Sequence, residues 1–104
     1  MANYLFTYHG GGTPETEEEG AQVMAAWGAW LGGLGEAVVD QGNPVGPSAS
    51  VANDGTTAPL DGPDTVTGYS IVVAPDLDAA TTMAKSCPIL DDGGWVEIGE
   101  IVPM

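Results

Sequence analysis

Few side chains in this sequence are of types that do chemistry near neutral pH. His9 is the single histidine, and it lies where a short aromatic segment runs into three glycines, Gly10 to Gly12. An imidazole can act there as a general acid or base, or it can anchor a ligand by a hydrogen bond. The same position also suits a structural histidine that closes the end of a strand. The sequence alone shows no carboxylate that orients the ring, so both interpretations stay open.

The other reactive side chains are carboxylates and one thiol. Asp61 and Asp64 lie in the turn sequence Asp61-Gly62-Pro63-Asp64 and are the candidate carboxylate partners of His9, although aspartates are also common in turns. Cys87 has no second cysteine to pair with, and Lys85 is the only lysine or arginine that could stabilise its thiolate. We therefore expect Cys87 to be a small buried side chain in a reducing compartment. One histidine, one cysteine and scattered acids show no metal-ligand spacing, so the sequence predicts neither a metal nor a cofactor.

Aromatic side chains are the candidate ligand-binding residues. Tyr8 lies on the first predicted strand, Trp27 and Trp30 on the first predicted helix, and Tyr69 on a later strand. Rings from a helix and a sheet can line an apolar pocket between the two elements. Apolar residues at helical spacing are more often core, so we expect at least one tryptophan to serve packing alone.

Length and charge exclude several classes of protein. The 104 residues, 43% of them apolar, form one domain over 1–104. The net charge of −14 would repel nucleic acid and anionic membranes. No apolar run approaches the ~20 residues of a membrane span, and the N-terminus lacks the basic region of a secretory signal. We therefore expect a cytoplasmic protein whose acidic surface serves solubility, with an acidic face that docks a basic partner as the alternative.

The first strand is predicted over residues 3–9, which are apolar on both parities and must therefore be covered on both faces. A long helix follows, capped by Thr13 or by Thr16, and ends at Gly42 and Pro44. Its apolar residues recur at helical spacing: Val23, Trp27, Leu31, Leu34 and Val38.

Glycines inside this helix are unusual, because each costs roughly 1 kcal/mol relative to alanine in an exposed helix interior. They are Gly28, Gly32, Gly33 and Gly35. Close packing on a sheet or a partner helix explains them best. Room for a ligand beside the two tryptophans is the alternative.

Strands and turns alternate in the second half of the chain. Segment 45–53, the turn Asn53-Asp54-Gly55 and a short return strand over 56–59 form a hairpin, and a clear strand follows over 67–74. Asp76 caps a short helix that stops before Pro88, and a final strand runs over 95–102. The inner stripe of the short helix is predicted to be Leu77, Ala80, Ala84 and Cys87.

This order predicts an α+β, ferredoxin-like sandwich, an antiparallel sheet with two helices on one face. It also resembles the YCII-related (DGPF) family of small domains, in the segment from Tyr4 to Gly10 and in the stretch from Leu60 to Pro88. The resemblance implies a dimeric α+β barrel. Family members with a proposed His–Asp acid–base pair carry the histidine in the first helix, where rough alignment places Trp27. That chemistry is therefore not carried over to this chain.

Three functions remain open. The first is the binding of a small organic ligand in a pocket at the boundary of helix and sheet, by Tyr8, Trp27, Trp30 and Tyr69. The second is a lyase, isomerase or dehydrochlorinase-type enzyme that uses His9 and Asp61 for acid–base catalysis. The third is an acidic interaction module. In each case the open face of the sheet predicts a homodimer formed by packing two sheets face to face.

Overall fold

A computed structural model describes residues 1–12, 14–62 and 64–104 of the chain. Its elements, in chain order, are strand β1 (Ala2–His9), helix α1 (Glu17–Leu34), strands β2 (Val38–Asp40), β3 (Ser48–Val51), β4 (Thr57–Leu60) and β5 (Val66–Ala74), helix α2 (Leu77–Ala84) and strand β6 (Trp95–Glu100). Short 3-10 helices follow α1 and α2, over Gly35–Ala37 and Pro88–Asp92. The main sheet has the antiparallel order β2-β5-β1-β6, which confirms the ferredoxin-like class. Within the described residues, neither helix is long and apolar enough to cross a membrane.

The core lies between one face of this sheet and the two helices. Tyr4, Phe6 and Tyr8 alternate along β1 and are all buried, and they pack with Trp30 of α1 and Ala80 of α2. The opposite parity of β1 points away from the helices. We call that side of the sheet the open face; its residues include Leu5, Thr7, His9, Ile71, Val73, Trp95 and Glu97.

Helix α1 begins at one of the two predicted caps and ends earlier than predicted. The Thr16 hydroxyl accepts a hydrogen bond from the Glu19 amide at 3.0 Å, as an N-cap does, whereas the alternative cap, Thr13, lies outside the described residues. At the other end, Gly35 has a φ of +57° and its amide bonds back to the carbonyls of the last turn. The prediction that the helix continues past Val38 is therefore wrong. Val38 begins β2 and pairs with Val72.

The glycines of α1 are exposed on its outer side. A Cβ placed at Gly28, Gly32 or Gly33 would meet no atom within 4 Å, and the same holds for Gly35. The predicted packing of these glycines against the sheet is therefore wrong, and none of the four lies among the residues that line the space beside Trp27. Packing on a partner helix stays a prediction.

The hairpin forms as predicted but stands apart from the main sheet. Strands β3 and β4 pair only with each other, through a turn in which Gly55 has a φ of +89° and the Asp54 carboxylate accepts from the Thr56 amide at 2.9 Å. The main sheet takes its edge strand from β2 instead. The predicted turn at residues 61–64 includes Pro63, which lies outside the described residues.

The last third of the chain follows the prediction with two corrections. The Asp76 carboxylate caps α2 by accepting from the Ala79 amide at 2.8 Å, and Ala80, Ala84 and Cys87 are buried. Leu77 was predicted on the same stripe but is 51% exposed, because it begins the helix on its outer side. Strand β6 ends at Glu100 rather than at Val102, since its pairing with β1 ends there.

Candidate functional site

A cavity of about 280 Å³ lies between α1 and the edge of the main sheet. We call it the helix–sheet cavity. Its outer wall is the segment 41–44, which leaves β2 and runs beside the first half of β5. The lining residues are Tyr8, Trp27, Leu31, Gln41, Gly42, Asn43, Pro44, Thr67, Gly68, Tyr69, Ser70 and Ile89.

Two glycines give this cavity its shape. Gly42 has a φ of +77°, and a Cβ there would lie 1.6 Å from the carbonyl oxygen of Tyr69, so only glycine lets the outer wall approach β5 this closely. The wall is then held by backbone hydrogen bonds from the Tyr69 amide to Asn43 and from the Val45 amide to Thr67. At Gly68, a Cβ would lie 3.4 Å from both the Tyr8 ring and the Asn43 carbonyl oxygen. Side chains at these positions would close or fill the space.

The four predicted ligand-binding aromatics do not all reach the cavity. Tyr8, Trp27 and Tyr69 are among its lining residues, although Tyr69 pairs with Thr7 and so has the open-face parity of β5. The rings of Tyr8 and Trp27 meet edge to face with centroids 4.8 Å apart. Trp30 lies behind them in the core and does not line the cavity. It is 8% exposed, and its indole N–H donates to the Met83 carbonyl and to the Ser86 hydroxyl, both at 3.1 Å. Trp30 is therefore a packing residue in this chain.

Two hydrogen bonds join three of the lining residues, Tyr8, Ser70 and Gln41. The Tyr8 hydroxyl donates to Ser70 Oγ at 2.8 Å, and Ser70 Oγ donates to the Gln41 carbonyl at 2.7 Å. Burial raises the pKa of Tyr8 to about 12, against a smaller lowering by its Ser70 hydrogen bond. The Tyr8 hydroxyl therefore keeps its proton at neutral pH. At the rim, Asn43 donates to the Tyr69 hydroxyl at 3.2 Å.

His9 does not line this cavity; it lies on the open face of the sheet. The residue is 5% exposed, and its ring stacks on Trp95, with centroids 4.0 Å apart and planes 9° apart. Nδ1 bonds to the backbone carbonyl of Asp64 at 2.8 Å; because a carbonyl can only accept, Nδ1 carries a proton. Nε2 lies 3.2 Å from Thr7 Oγ1 and 3.2 Å from the Glu97 carboxylate. Both ring nitrogens thus have partners within the protein.

The predicted partnership of His9 with Asp61 is absent from the described contacts. Asp61 is exposed, and Asp64 meets His9 through its backbone rather than through its carboxylate. The carboxylate near the ring is Glu97, which sequence reasoning missed. Alternation along β6 puts Glu97 on one face, but only the pairing register with Thr7 brings it beside His9.

Cys87 is buried as predicted. Burial raises the pKa of its thiol to about 11, so it carries no thiolate at neutral pH. Among residues 1–12, 14–62 and 64–104, no three His, Cys, Asp or Glu side chains are grouped as metal ligands would be.

A second cavity of about 330 Å³ lies beside the start of α1. Three carboxylates line it, those of Glu19, Asp91 and Asp92. It lacks the aromatic walls of the helix–sheet cavity, which therefore remains the candidate site.

The fold agrees with the comparison to known protein families. The chain matches the YCII-related domain over residues 4–104 and belongs to that family. Among solved structures it is similar to 5-chloro-2-hydroxyhydroquinone dehydrochlorinase from Burkholderia phenoliruptrix AC1100, determined in complex with 2,5-dihydroxybenzoquinone. The similarity has a TM-score of 0.59 and 17% identity, and covers 98% of this chain and 95% of that one, which establishes a shared fold. No curated protein matches the chain.

Proposed function

We propose that this protein binds a small, planar, uncharged organic molecule in the helix–sheet cavity. The cavity itself carries the proposal. Trp27, Leu31 and Ile89 make its walls mainly apolar, and a few polar residues, among them Ser70 and Asn43, complete the lining. Its volume of about 280 Å³ lies just below the ~300–1,000 Å³ range of ligand pockets, so the occupant has one or two rings.

Charge narrows the class of ligand. None of the described lining residues is Asp, Glu, Lys, Arg or His. An anion in the cavity would find no counter-charge there, within a chain whose net charge is −14. A neutral ring that contacts Trp27 and Tyr8 loses little hydration and gains aromatic contacts.

The structural neighbour gives a second line of support. The molecule in its complex, 2,5-dihydroxybenzoquinone, is a small planar ring. The two chains share a fold at 17% identity, so the neighbour supports the size and shape of the ligand here and leaves its identity and any reaction open.

Acid–base catalysis by His9 receives no support from its position. The ring lies on the open face and is not among the residues lining the cavity, and both of its nitrogens are engaged within the protein. We therefore propose binding without a histidine-based reaction.

Ligand titration followed by amide NMR tests the binding proposal. Indole and related neutral bicyclic molecules should shift the amides of Gly42 and Gly68, which line the cavity. Gly68→Ala adds a methyl group 3.4 Å from the Tyr8 ring and should weaken binding about tenfold, since overpacking costs about 1–3 kcal/mol. Gly33→Ala is the matched control, because its Cβ would meet no atom within 4 Å, and it should bind as the wild type does. A protein whose cavity amides respond to no neutral aromatic probe would leave the interaction module as the better explanation.

We also propose that two copies pair through their open faces. Leu5 is 36% exposed and Trp95 is 42% exposed on that face, beside Ile71 and Val73, which are half-buried. A sheet face this apolar is well suited to pack on another sheet, with a total interface above ~1,000 Å².

Sedimentation velocity at micromolar concentration in moderate salt should show a dimer. Ile71→Glu should convert it to a monomer, because it would bury a charge in the interface. Met24→Glu adds the same charge on the outer side of α1, where Met24 is 77% exposed, and should leave the dimer intact. Only monomer in the wild type would refute the pairing.

Location and partners complete the proposal. We place the protein in the cytoplasm because its one cysteine is a buried, unpaired thiol, as is usual in reducing compartments. Nucleic acid is not a partner, since Lys85 is the only lysine or arginine. Fluorescence imaging of the tagged chain in its native host tests the location, and a secreted product would contradict it.

A further inference from the structure

We infer that Tyr8 gives the helix–sheet cavity a fixed hydrogen-bonding polarity, so that it selects ring ligands that carry a hydrogen-bond donor. This inference rests on the proposed binding function and adds the chemical class of the ligand. It follows from the directions of the two hydrogen bonds that join Tyr8, Ser70 and the Gln41 carbonyl.

The direction of each of these two hydrogen bonds is determined. The acceptor of the second is the backbone carbonyl of Gln41, which has no proton to give, so Ser70 must donate to it. A serine hydroxyl has one proton. With that proton directed to Gln41, Ser70 Oγ can only accept from the Tyr8 hydroxyl, 2.8 Å away. Tyr8 has therefore committed its own proton, and its oxygen has only lone pairs left to offer a ligand.

The three residues that these hydrogen bonds join, Tyr8, Ser70 and Gln41, all line the cavity. Tyr8 is 5% exposed and Ser70 is 1% exposed, so water competes little for this oxygen once a ligand is in place. Asn43 is exposed, so a ligand that hydrogen-bonds to it only replaces water and gains little binding free energy.

The polarity is stable across ordinary pH. Tyr8 keeps its proton because burial holds its pKa near 12, and neither Ser70 nor the Gln41 carbonyl titrates. A ring with an N–H or O–H group directed at Tyr8 completes the hydrogen bonding of the Tyr8 hydroxyl. A ring with only an acceptor at the same place would face the lone pairs of the Tyr8 oxygen and is disfavoured.

Indole and benzofuran test this selection. The two molecules are planar, uncharged and nearly the same size, and they differ by an N–H in one and an oxygen in the other. We expect wild-type protein to bind indole about three- to tenfold more tightly by calorimetry, the range that one net hydrogen bond gives. Tyr8→Phe keeps the ring and removes the oxygen, so the two dissociation constants should become equal.

Ser70→Ala tests the direction of the proton. It releases the Tyr8 hydroxyl proton, which can then turn toward the ligand, so the preference for indole should shrink although Tyr8 remains. Circular dichroism confirms that each variant is folded, and the wild-type comparison needs no variant at all.

The outcomes separate this inference from the function on which it rests. If neither molecule shifts the Gly42 and Gly68 amides, the cavity is not a ring-binding site and the proposed function fails. If both bind there equally well, the function stands and the selection by Tyr8 is refuted. A preference that survives Tyr8→Phe would also refute it, and a preference undiminished in Ser70→Ala would refute the role of Ser70.

Discussion

Truncating each of the two neighbouring tryptophans of α1 should separate binding from stability. The rings of Trp27 and Trp30 meet edge to face with centroids 5.7 Å apart, yet only Trp27 lines the helix–sheet cavity. We expect Trp27→Ala to remain folded and to lose ring binding. We expect Trp30→Ala to lose considerably more stability than Trp27→Ala does.

The magnitudes follow from burial and from the hydrogen bonds of the indole. Trp30 is 8% exposed, and truncation of a buried tryptophan costs about 3–5 kcal/mol. Its loss also leaves the Met83 carbonyl and the Ser86 hydroxyl without the indole donor. Trp27 is half-buried, so about half of that cost, ~2 kcal/mol, is expected. A domain of this size has a total stability of about 5–15 kcal/mol, which can absorb the second loss more readily than the first.

Thermal unfolding by circular dichroism measures this difference. At roughly 4–8 °C per kcal/mol, Trp27→Ala should lower the midpoint by about 10 °C and Trp30→Ala by about 20 °C or more. Indole titration of the folded Trp27→Ala protein should then show no response at Gly68. If Trp27→Ala is the more destabilising change, or if it binds indole as the wild type does, then the assignment of Trp27 to the cavity wall and of Trp30 to the core is refuted.

Three further predictions concern an exposed glycine of α1, the buried Cys87 and Tyr8 side chains, and the net charge. Gly28→Ala should raise the free energy of unfolding in urea by up to about 1 kcal/mol, because a Cβ there meets no atom within 4 Å; a loss of stability would mean that a partner covers this side of α1. Above about pH 9 the free energy of unfolding should fall, because burial raises the pKa of Cys87 from 9.0 to about 11 and that of Tyr8 from 10.0 to about 12. The unfolded chain loses these protons first, so Cys87→Ala and Tyr8→Phe should each flatten the fall, and unchanged slopes would contradict the assignment. Raising salt from about 0.02 M to about 0.3 M should raise the unfolding midpoint, since a net charge of −14 repels itself least when screened, and a midpoint that falls would count against this.

Most of the fold could be predicted because its signals are local. Alternation in β1, the cap at Thr16, the turn at Asn53-Asp54-Gly55 and the cap at Asp76 each require only neighbouring residues. Strand β2 was missed for the opposite reason. Val38 continues the helical spacing of Leu34, and only its pairing with Val72, far along the chain, makes it a strand.

In the candidate site, too, some parts could be predicted from local sequence and others depend on long-range contacts. Tyr8, Trp27 and Tyr69 could be chosen by residue type and by the elements that carry them. The outer wall of the cavity could not, because it depends on how closely Gly42 approaches the backbone of Tyr69. The sequence Gly42-Asn43-Pro44 is also typical of the end of a helix, where glycine and proline are common. Only the contact with β5 shows that it is a wall.

His9 shows why a reactive residue type alone is weak evidence for catalysis. A histidine needs a nitrogen that can exchange a proton with a substrate, and the nitrogens of His9 are held by the Asp64 carbonyl, Thr7 and Glu97. The Asp64 contact ties the chain before β5 to the end of β1, and the stacked Trp95 ties that end to β6. The His9 ring therefore has a structural role: it holds β1, β5 and β6 together at one end of the sheet. The proposed binding uses residues that are uncharged at neutral pH, so a neutral ligand avoids the repulsion that the net charge of −14 exerts on an anion.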